Sequence, residues 1–158
     1  MIRQENKIKL HCERQLEAVR AISEALFQHT SMDNVVRQTL QTALQVIGAD
    51  AGSVLLADAG SKQLIFRCVI GEKAELLQGT SMPWTQGIAG AVFTSGNPEV
   101  IVNVKEDPRH CRAIDCLTRY ETLGMIALPL KRWNGEPIGV LEVLNKRTGR
   151  LTQEDCDI

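Results

Sequence analysis

Two apolar runs separated by a polar connection form the most regular pattern in this chain. The runs Met125–Leu130 and Ile138–Leu144 flank Asn134 and Gly135, and an Asn-Gly pair favours the two positive-φ positions of a type I′ turn. The pattern predicts a β-hairpin with apolar side chains on both faces, so both faces should be covered. The acid Glu142 interrupts the second run, which predicts a carboxylate at the mouth of a cavity or beside a partner.

Apolar positions spaced by three and four residues predict a long amphipathic helix at the N-terminus. The stripe consists of Ile8, Cys12, Leu16, Val19, Ile22 and Leu26. The opposite face of this helix is charged. A stripe so narrow suits docking on the rest of the same chain, packing against the same helix of a second copy, or both along its length.

The next segment predicts a second helix followed by two strands. Ser31 is a suitable cap for the helix, and Gly48 is a suitable residue to end it. AGSVLLADA and QLIFRCVIG have the composition of strands around a polar turn. Gly79–Pro83 is predicted to be a loop.

Shorter elements complete the pattern. The segment GIAGAVFTS is predicted to be a helix with Thr85 as its cap, Glu99–Val104 a strand, and Ala113–Tyr120 a helix or a single turn of one. After the hairpin, LTQEDCDI has a capping threonine followed by acids, as at the start of a helix. Strands joined by hairpins, with helices between and around them, predict an α+β fold with a mostly antiparallel sheet.

Composition restricts the class of protein. The chain has 158 residues, 44% of them hydrophobic and 23% charged, which is ordinary for one globular domain. The formal net charge of −1 gives no basic field for nucleic acid or an anionic membrane. No apolar run approaches the roughly 20 residues of a membrane span. Five cysteines without regular spacing indicate reduced thiols and a cytoplasmic location.

The sequence contains no complete catalytic set. His110, Cys111 and Cys116 suggest a metal or thiol site, but no Cys-x-x-Cys pair is present, and no base lies at a recognisable spacing from a thiol. We therefore expect no metal and no enzymatic activity. Gly87 and Gly90 lie at the start of a predicted helix, where free amides attract an anion or where small residues simply allow close packing.

Polar residues cluster around the hairpin in a way that predicts a wet pocket for a polar small molecule. They are Asp107, Asp115, Thr118, Tyr120, Thr122 and Glu142. Each alone is more typical of a solvated loop, and only their joint spacing favours a pocket.

Together, the motifs GSVLLAD, QGIAGAVFTSG, VNVKEDPR, IALPLKRWNGEPIGVLEVLNK and LTQED resemble those of a GAF domain, a small sensory module. The resemblance implies a six-stranded antiparallel sheet with terminal helices on one face and a ligand pocket on the other. It also implies an N-terminal signalling and dimerisation helix over 1–30 and a GAF domain over 31–158. Its C-terminal helix would be truncated, with an effector domain beyond residue 158.

Within this family the chain is similar to the branch found in cyclic-nucleotide phosphodiesterases and related cyclases, which implies cAMP or cGMP as a possible ligand. By that resemblance, the backbone amides of Ile88 and Ala89 would contact the cyclic phosphate. The other implied ligand-binding residues are Ser53 and Glu142 on the sheet and Asp115, Thr118 and Thr122 along the lid and pocket wall.

The branch also has a structural motif, of which Asn145, Lys146 and Asp155 remain here while an aromatic residue and the last acid are replaced. Val69 and Ile70 stand where an aromatic residue and an acid contact the base in cGMP binders, which puts guanine-specific recognition in doubt.

Several alternatives remain open. The chain is also compatible with a dimerising module without a ligand, or with a sensor of another small molecule. Free methionine sulfoxide reductases share the fold, but Ala89 stands in place of a cysteine. Bilin photoreceptors attach their chromophore near Cys116, and Leu117 replaces the usual histidine.

Overall fold

A computed structural model shows five α-helices and six strands in the part of the protein that it describes. It describes the backbone of residues 2–27, 31–72 and 74–158, and the side chains of 10–23, 31–72 and 74–158. The helices are α1 (Ile2–Phe27), α2 (Met32–Ile47), α3 (Gly87–Ser95), α4 (Arg112–Thr118) and α5 (Gln153–Cys156). The strands are β1 (Ala49–Asp58), β2 (Gln63–Ile70), β3 (Ser81–Pro83), β4 (Glu99–Ile101), β5 (Met125–Lys131) and β6 (Pro137–Lys146). No helix in these ranges is both long and apolar enough to span a membrane.

The six strands form one antiparallel sheet in the order β3-β2-β1-β6-β5-β4. This confirms the predicted α+β fold with a six-stranded antiparallel sheet. The prediction of a loop over Gly79–Pro83 is wrong for its second half, because Ser81–Pro83 pairs with β2 as an edge strand. Three residues that include a proline are too short to produce a strand pattern in the sequence.

The central strands bury side chains on both faces of the sheet, as the hairpin pattern predicts. On β6, Leu141 and Val143 join the core under α2, with Leu40 and Leu44 of that helix. Val140 points to the other face, into the core beneath α3. Helices α2 and α5 therefore cover one face, while α3 and α4 lie over the other.

Helix α1 packs on α2 through a different face from the one the apolar stripe predicts. Ala18 is buried, and the Arg14 guanidinium donates to the carbonyl oxygen of Val46 at the end of α2. Leu16 and Val19 of the stripe are 70% and 61% exposed. The stripe is therefore not docked on its own chain at these positions. The side chains of Ile8 and Leu26, at its ends, lie outside the described residues.

The β5–β6 hairpin closes with a different turn from the predicted type I′ turn. Gly135 has φ +86°, but Asn134 is absent from the positive-φ residues. The Gly135 amide donates to the Arg132 carbonyl at 2.9 Å, and the strand register shifts after Leu130. The connection is therefore a type I turn followed by a glycine bulge, which needs only one left-handed residue.

Candidate functional site

A cavity lies between the sheet and the two helices α3 and α4. Its volume is about 80 Å³. All seven residues that the sequence predicts as ligand-binding line it: Ser53, Ile88, Ala89, Asp115, Thr118, Thr122 and Glu142. The fold thus brings together side chains from two strands, two helices and the loop after α4.

The floor of the cavity is a cross-strand pair. Ser53 of β1 is the register partner of Glu142 of β6, and its hydroxyl donates to one Glu142 carboxylate oxygen at 2.6 Å. Burial raises the pKa of the Glu142 carboxyl, and the Ser53 hydrogen bond only partly opposes this. Among the described residues, Ser53 is the only hydrogen-bond partner of that carboxylate. Both expectations for this acid, a cavity and a partner, are met.

The start of α3 forms a second wall. Gln86, not Thr85, occupies the N-cap position, and its side chain makes no capping hydrogen bond. Thr85 cannot serve as predicted because the helix begins one residue later, at Gly87, whose φ of +72° favours glycine. The first-turn amides of Ile88 and Ala89 have no acceptor within the helix.

Helix α4 and the loop that follows it cover the cavity as a lid. Asp115 accepts hydrogen bonds from the Thr122 hydroxyl at 2.9 Å and from the Thr122 amide at 3.3 Å. The His110 ring Nε2 lies 3.0 Å from the same carboxylate. The helix ends at Thr118, two residues before the predicted end, because Arg119 adopts a left-handed conformation with φ +55°.

Asn145 holds the loop that leads from the lid back to the sheet. Its side-chain oxygen accepts from the amides of Leu123 and Gly124 at 2.7 and 3.1 Å. Its amide nitrogen donates to the Tyr120 hydroxyl at 2.9 Å. Burial and contact with Asp50 raise the pKa of the Tyr120 phenol, so this hydroxyl stays a neutral donor. Asn145 therefore positions one wall of the cavity without lining it.

Lys146 and Asp155 form the other part of the motif. The Lys146 ammonium lies 2.7 Å from both oxygens of Asp155, which also closes a capping box with Thr152 at the start of α5. Arg14 of α1 approaches the same carboxylate at 3.6 Å. Burial alone raises the pKa of the Asp155 carboxyl, but the hydrogen bonds from Lys146 and Thr152 together leave it below its ordinary value. The carboxylate thus ties α1 and α5 to β6.

Some predicted polar residues lie elsewhere. Asp107 is not among the residues that line the cavity; it forms an ion pair with Arg109, which also pairs with Glu99 of β4. The hydrogen bond from Arg109 lowers the pKa of the Asp107 carboxyl. Cys111 lines the cavity, whereas Cys116 is exposed.

Several of the residues that line the cavity are not predicted from the sequence, among them His110 and Phe66. His110 was considered only for metal or thiol chemistry, and its proximity to Asp115 depends on the bend before α4. Phe66 of β2 is 4% exposed and lines the cavity. The only signal for Phe66 is its position on an apolar strand, which does not distinguish a cavity wall from a packed core.

Comparison with protein families gives one match that covers most of the chain. The family model described as "GAF domain" matches residues 29–158. A curated relative is the dual 3′,5′-cyclic-AMP and -GMP phosphodiesterase 11 of Drosophila melanogaster, which is 29% identical over 164 residues. That alignment covers 94% of this chain and 11% of the relative's length. The chain thus spans about a tenth of that relative.

Solved structures match the whole fold. The GAF domain of a phosphoenolpyruvate-protein phosphotransferase from Coxiella burnetii has a TM-score of 0.79 at 15% identity, covering 90% of this chain and 84% of that chain. Free methionine-R-sulfoxide reductase from Neisseria meningitidis, in complex with its substrate, has a TM-score of 0.74 at 19% identity. The match covers 92% of this chain and 80% of the reductase chain. At such identities the likeness concerns the fold alone.

Proposed function

This chain belongs to the GAF domain family, and on that premise we propose that it is a regulatory domain that binds a small molecule, with cAMP or cGMP as the candidate ligand. The observation that carries the proposal is the cavity under α4, whose lining includes all seven residues predicted from the sequence. Its volume of about 80 Å³ is below the roughly 300–1,000 Å³ typical of ligand pockets. A nucleotide therefore enters only when the lid moves outward.

The walls suit the parts of a cyclic nucleotide. The uncapped first turn of α3, with Ile88 and Ala89, offers amides and a positive helix end to a singly charged phosphate. Phe66 and Val69 offer apolar contact to a base. Asp115, Thr118 and Thr122 lie on the lid side, where ligand contacts would hold the lid closed.

Isothermal calorimetry with cAMP and then cGMP tests this proposal. We expect binding at micromolar affinity or tighter by at least one of the two. Thr122→Ala removes the hydroxyl that anchors Asp115 at 2.9 Å, and we expect it to weaken binding roughly tenfold. Thr80→Ala is the matched control, because the exposed Thr80 hydroxyl donates only to the Leu77 carbonyl. Folded protein that gives no heat with either nucleotide would exclude this ligand class.

We also propose that the domain has no enzymatic activity. Reduction of a sulfoxide leaves a sulfenic acid on the attacking cysteine, and a second thiol, from the protein or from an added reductant, must then form a disulfide with it and release water. Among the described residues, Cys111 is the only cysteine that lines the cavity, and Cys116 lies on the exposed side of the lid. We expect no turnover of free methionine sulfoxide in the presence of a dithiol reductant, measured as methionine formed.

A second proposal concerns assembly. Leu16 and Val19 on the outward stripe of α1 are 70% and 61% exposed, which favours a homodimer in which the α1 helices of two copies pack together. In this proposal the paired helices transmit the occupancy of the pocket to an effector domain of a longer cytoplasmic protein. We expect Leu16→Glu with Val19→Glu to convert a dimer to a monomer in sedimentation experiments. Glu17→Lys, an exposed change on another face of α1, is the control. A dimer that persists would move the interface away from α1.

A further inference from the structure

The hydroxyl groups that line the cavity all donate their hydrogen atoms to acceptors within the protein. The Ser53 hydroxyl donates to Glu142 at 2.6 Å and the Thr122 hydroxyl to Asp115 at 2.9 Å. The Thr118 hydroxyl donates to the Ile114 carbonyl at 2.9 Å, and the Tyr120 hydroxyl to Asp50 at 3.0 Å. Since a hydroxyl has a single hydrogen, each of these oxygens can offer a ligand only a lone pair.

The charged residues that line the cavity are also mainly hydrogen-bond acceptors. Glu72, Asp115 and Glu142 are acids, and no lysine or arginine occurs among the described residues that line the cavity. The one described basic side chain, His110, is directed at Asp115. At the floor, Glu142 is 8% exposed, and only one of its carboxylate oxygens has a described hydrogen-bond partner. Because no buried side-chain polar atom among the described residues lacks a hydrogen-bond partner, the second oxygen is not sealed off, and a donor that enters the cavity can reach it.

We propose that the ligand group reaching the Ser53–Glu142 pair is a nitrogen-borne hydrogen-bond donor, such as an amine, an amidine or the N–H edge of a heterocycle. A group that offers only lone pairs there is rejected. This inference rests on the proposed function, namely that the cavity binds a small molecule. It adds the polarity of the group that the floor recognises, whatever the rest of the ligand is.

The Glu142→Gln variant tests the proposal, because the hydrogen bond from Ser53 fixes the orientation of the new amide group. In Glu142→Gln, the side-chain oxygen can keep the hydrogen bond from the Ser53 hydroxyl, so the amide NH₂ takes the place of the other carboxylate oxygen. The floor then offers a donor where the native protein offers an acceptor. With Ser53→Ala added, the amide is free to rotate by 180° and present its oxygen again.

The experiment uses benzamidine and benzoate, which share a shape and differ in whether their polar group donates or accepts hydrogen bonds. Binding to the ¹⁵N-labelled chain is followed by NMR at the amides of Ser53 and Glu142. We expect benzamidine to shift these signals with an affinity roughly 10- to 100-fold higher than benzoate, as for a hydrogen bond to a charged group. In Glu142→Gln this ratio should fall at least tenfold, and Ser53→Ala in the same chain should restore part of it.

Glu136→Gln, the same chemical change on the exposed hairpin, should leave the ratio unchanged. The inference would be overturned if the two probes bind equally well at the floor or if benzoate binds more tightly. It would also be overturned if neither probe shifts the signals of the folded protein. An unchanged ratio in Glu142→Gln would have the same consequence. This test can be distinguished from the calorimetry. If benzamidine binds and neither nucleotide does, cyclic nucleotides are excluded as the ligand, but the requirement for a hydrogen-bond donor at the floor remains.

Discussion

Replacement of Asp155 by asparagine should destabilise the whole domain, because this carboxylate joins three separate elements. Its side chain is 2% exposed and lies 2.7 Å from the Lys146 ammonium with both oxygens. It also accepts from the Thr152 amide at 3.0 Å and the Thr152 hydroxyl at 3.1 Å. Asparagine keeps the shape and one acceptor oxygen but removes the charge and replaces the other acceptor by a donor that faces Lys146.

The magnitude follows from burial. Removal of one partner from a buried ion pair costs about 3–5 kcal/mol. Lys146 is 22% exposed, so its ammonium regains some water, and the retained oxygen preserves part of the cap. We therefore expect a loss of about 2–3 kcal/mol in the free energy of unfolding. For a domain of this size, that corresponds to a decrease in Tm of roughly 4–12 °C.

Urea unfolding followed by fluorescence measures this loss. Trp84 packs on Phe93 with ring centroids 5.6 Å apart, so its emission should change on unfolding, whereas Trp133 is 99% exposed already. Asp157→Asn is the control, because Asp157 is an exposed acid in the same C-terminal segment. A double-mutant cycle with Lys146→Met should give a coupling of at least about 1 kcal/mol.

The loss should also depend on pH. Since the folded-state pKa of Asp155 lies below the ordinary 3.8, its stabilisation is complete above that value and disappears as the pH falls through the lower, folded-state pKa. The gap between wild type and Asp155→Asn should therefore be constant near neutrality and narrow in acid. A cost of Asp155→Asn no greater than that of Asp157→Asn, or a cycle without coupling, would refute this role of the Asp155 carboxylate.

Two further substitutions test the packing around the cavity. Glu142→Gln should raise Tm relative to wild type at pH 8, and this increase should shrink as the pH is lowered towards 4.5. The reason is that a folded-state pKa raised above the ordinary 4.5 makes the wild-type protein lose stability as the pH rises above that value. Thermal unfolding at several pH values measures the increase, and an increase that does not depend on pH would contradict the prediction. Gly90→Ala should cost about 1–3 kcal/mol in urea unfolding, because its Cβ would lie 2.7 Å from the backbone carbon of Thr85. Gly60→Ala, whose nearest such contact is 3.7 Å, should cost clearly less, and equal costs would contradict the steric argument.

The sequence predicts most of the fold because its local signals are strong. The caps at Ser31 and Thr152 have the expected side-chain hydrogen bonds, and β1, β2, β5 and β6 occur where the apolar pattern places them. The strand predicted over Glu99–Val104 is shorter and ends at Ile101. Glu142 is the clearest case: one acid in an otherwise apolar strand identified the floor of a cavity. Its position relative to Ser53 then follows from strand register alone.

Other features depend on contacts that no local pattern contains. The face by which α1 docks is decided by the close fit of Ala18 and by Arg14 reaching the end of α2, not by the most apolar stripe. Asn145 was identified as a motif residue, but its role depends on a loop more than twenty residues away in sequence. The turn at Gly135 differs from the prediction because strand twist can be matched by more than one turn type.

The short outer strands have a consequence for solubility at high concentration. β3 and β4 are three residues each, so neither offers the long row of free backbone groups on which another chain could add a strand. β4 pairs with Met125–Ala127 of β5, so the remainder of β5 lies at the edge of the sheet. This remainder contains Pro129, which has no amide hydrogen to donate. On the other side, the Phe66 amide and carbonyl of β2 are bonded to the 79–80 segment. The edges of the sheet therefore offer few free backbone groups on which a strand of another protein could pair.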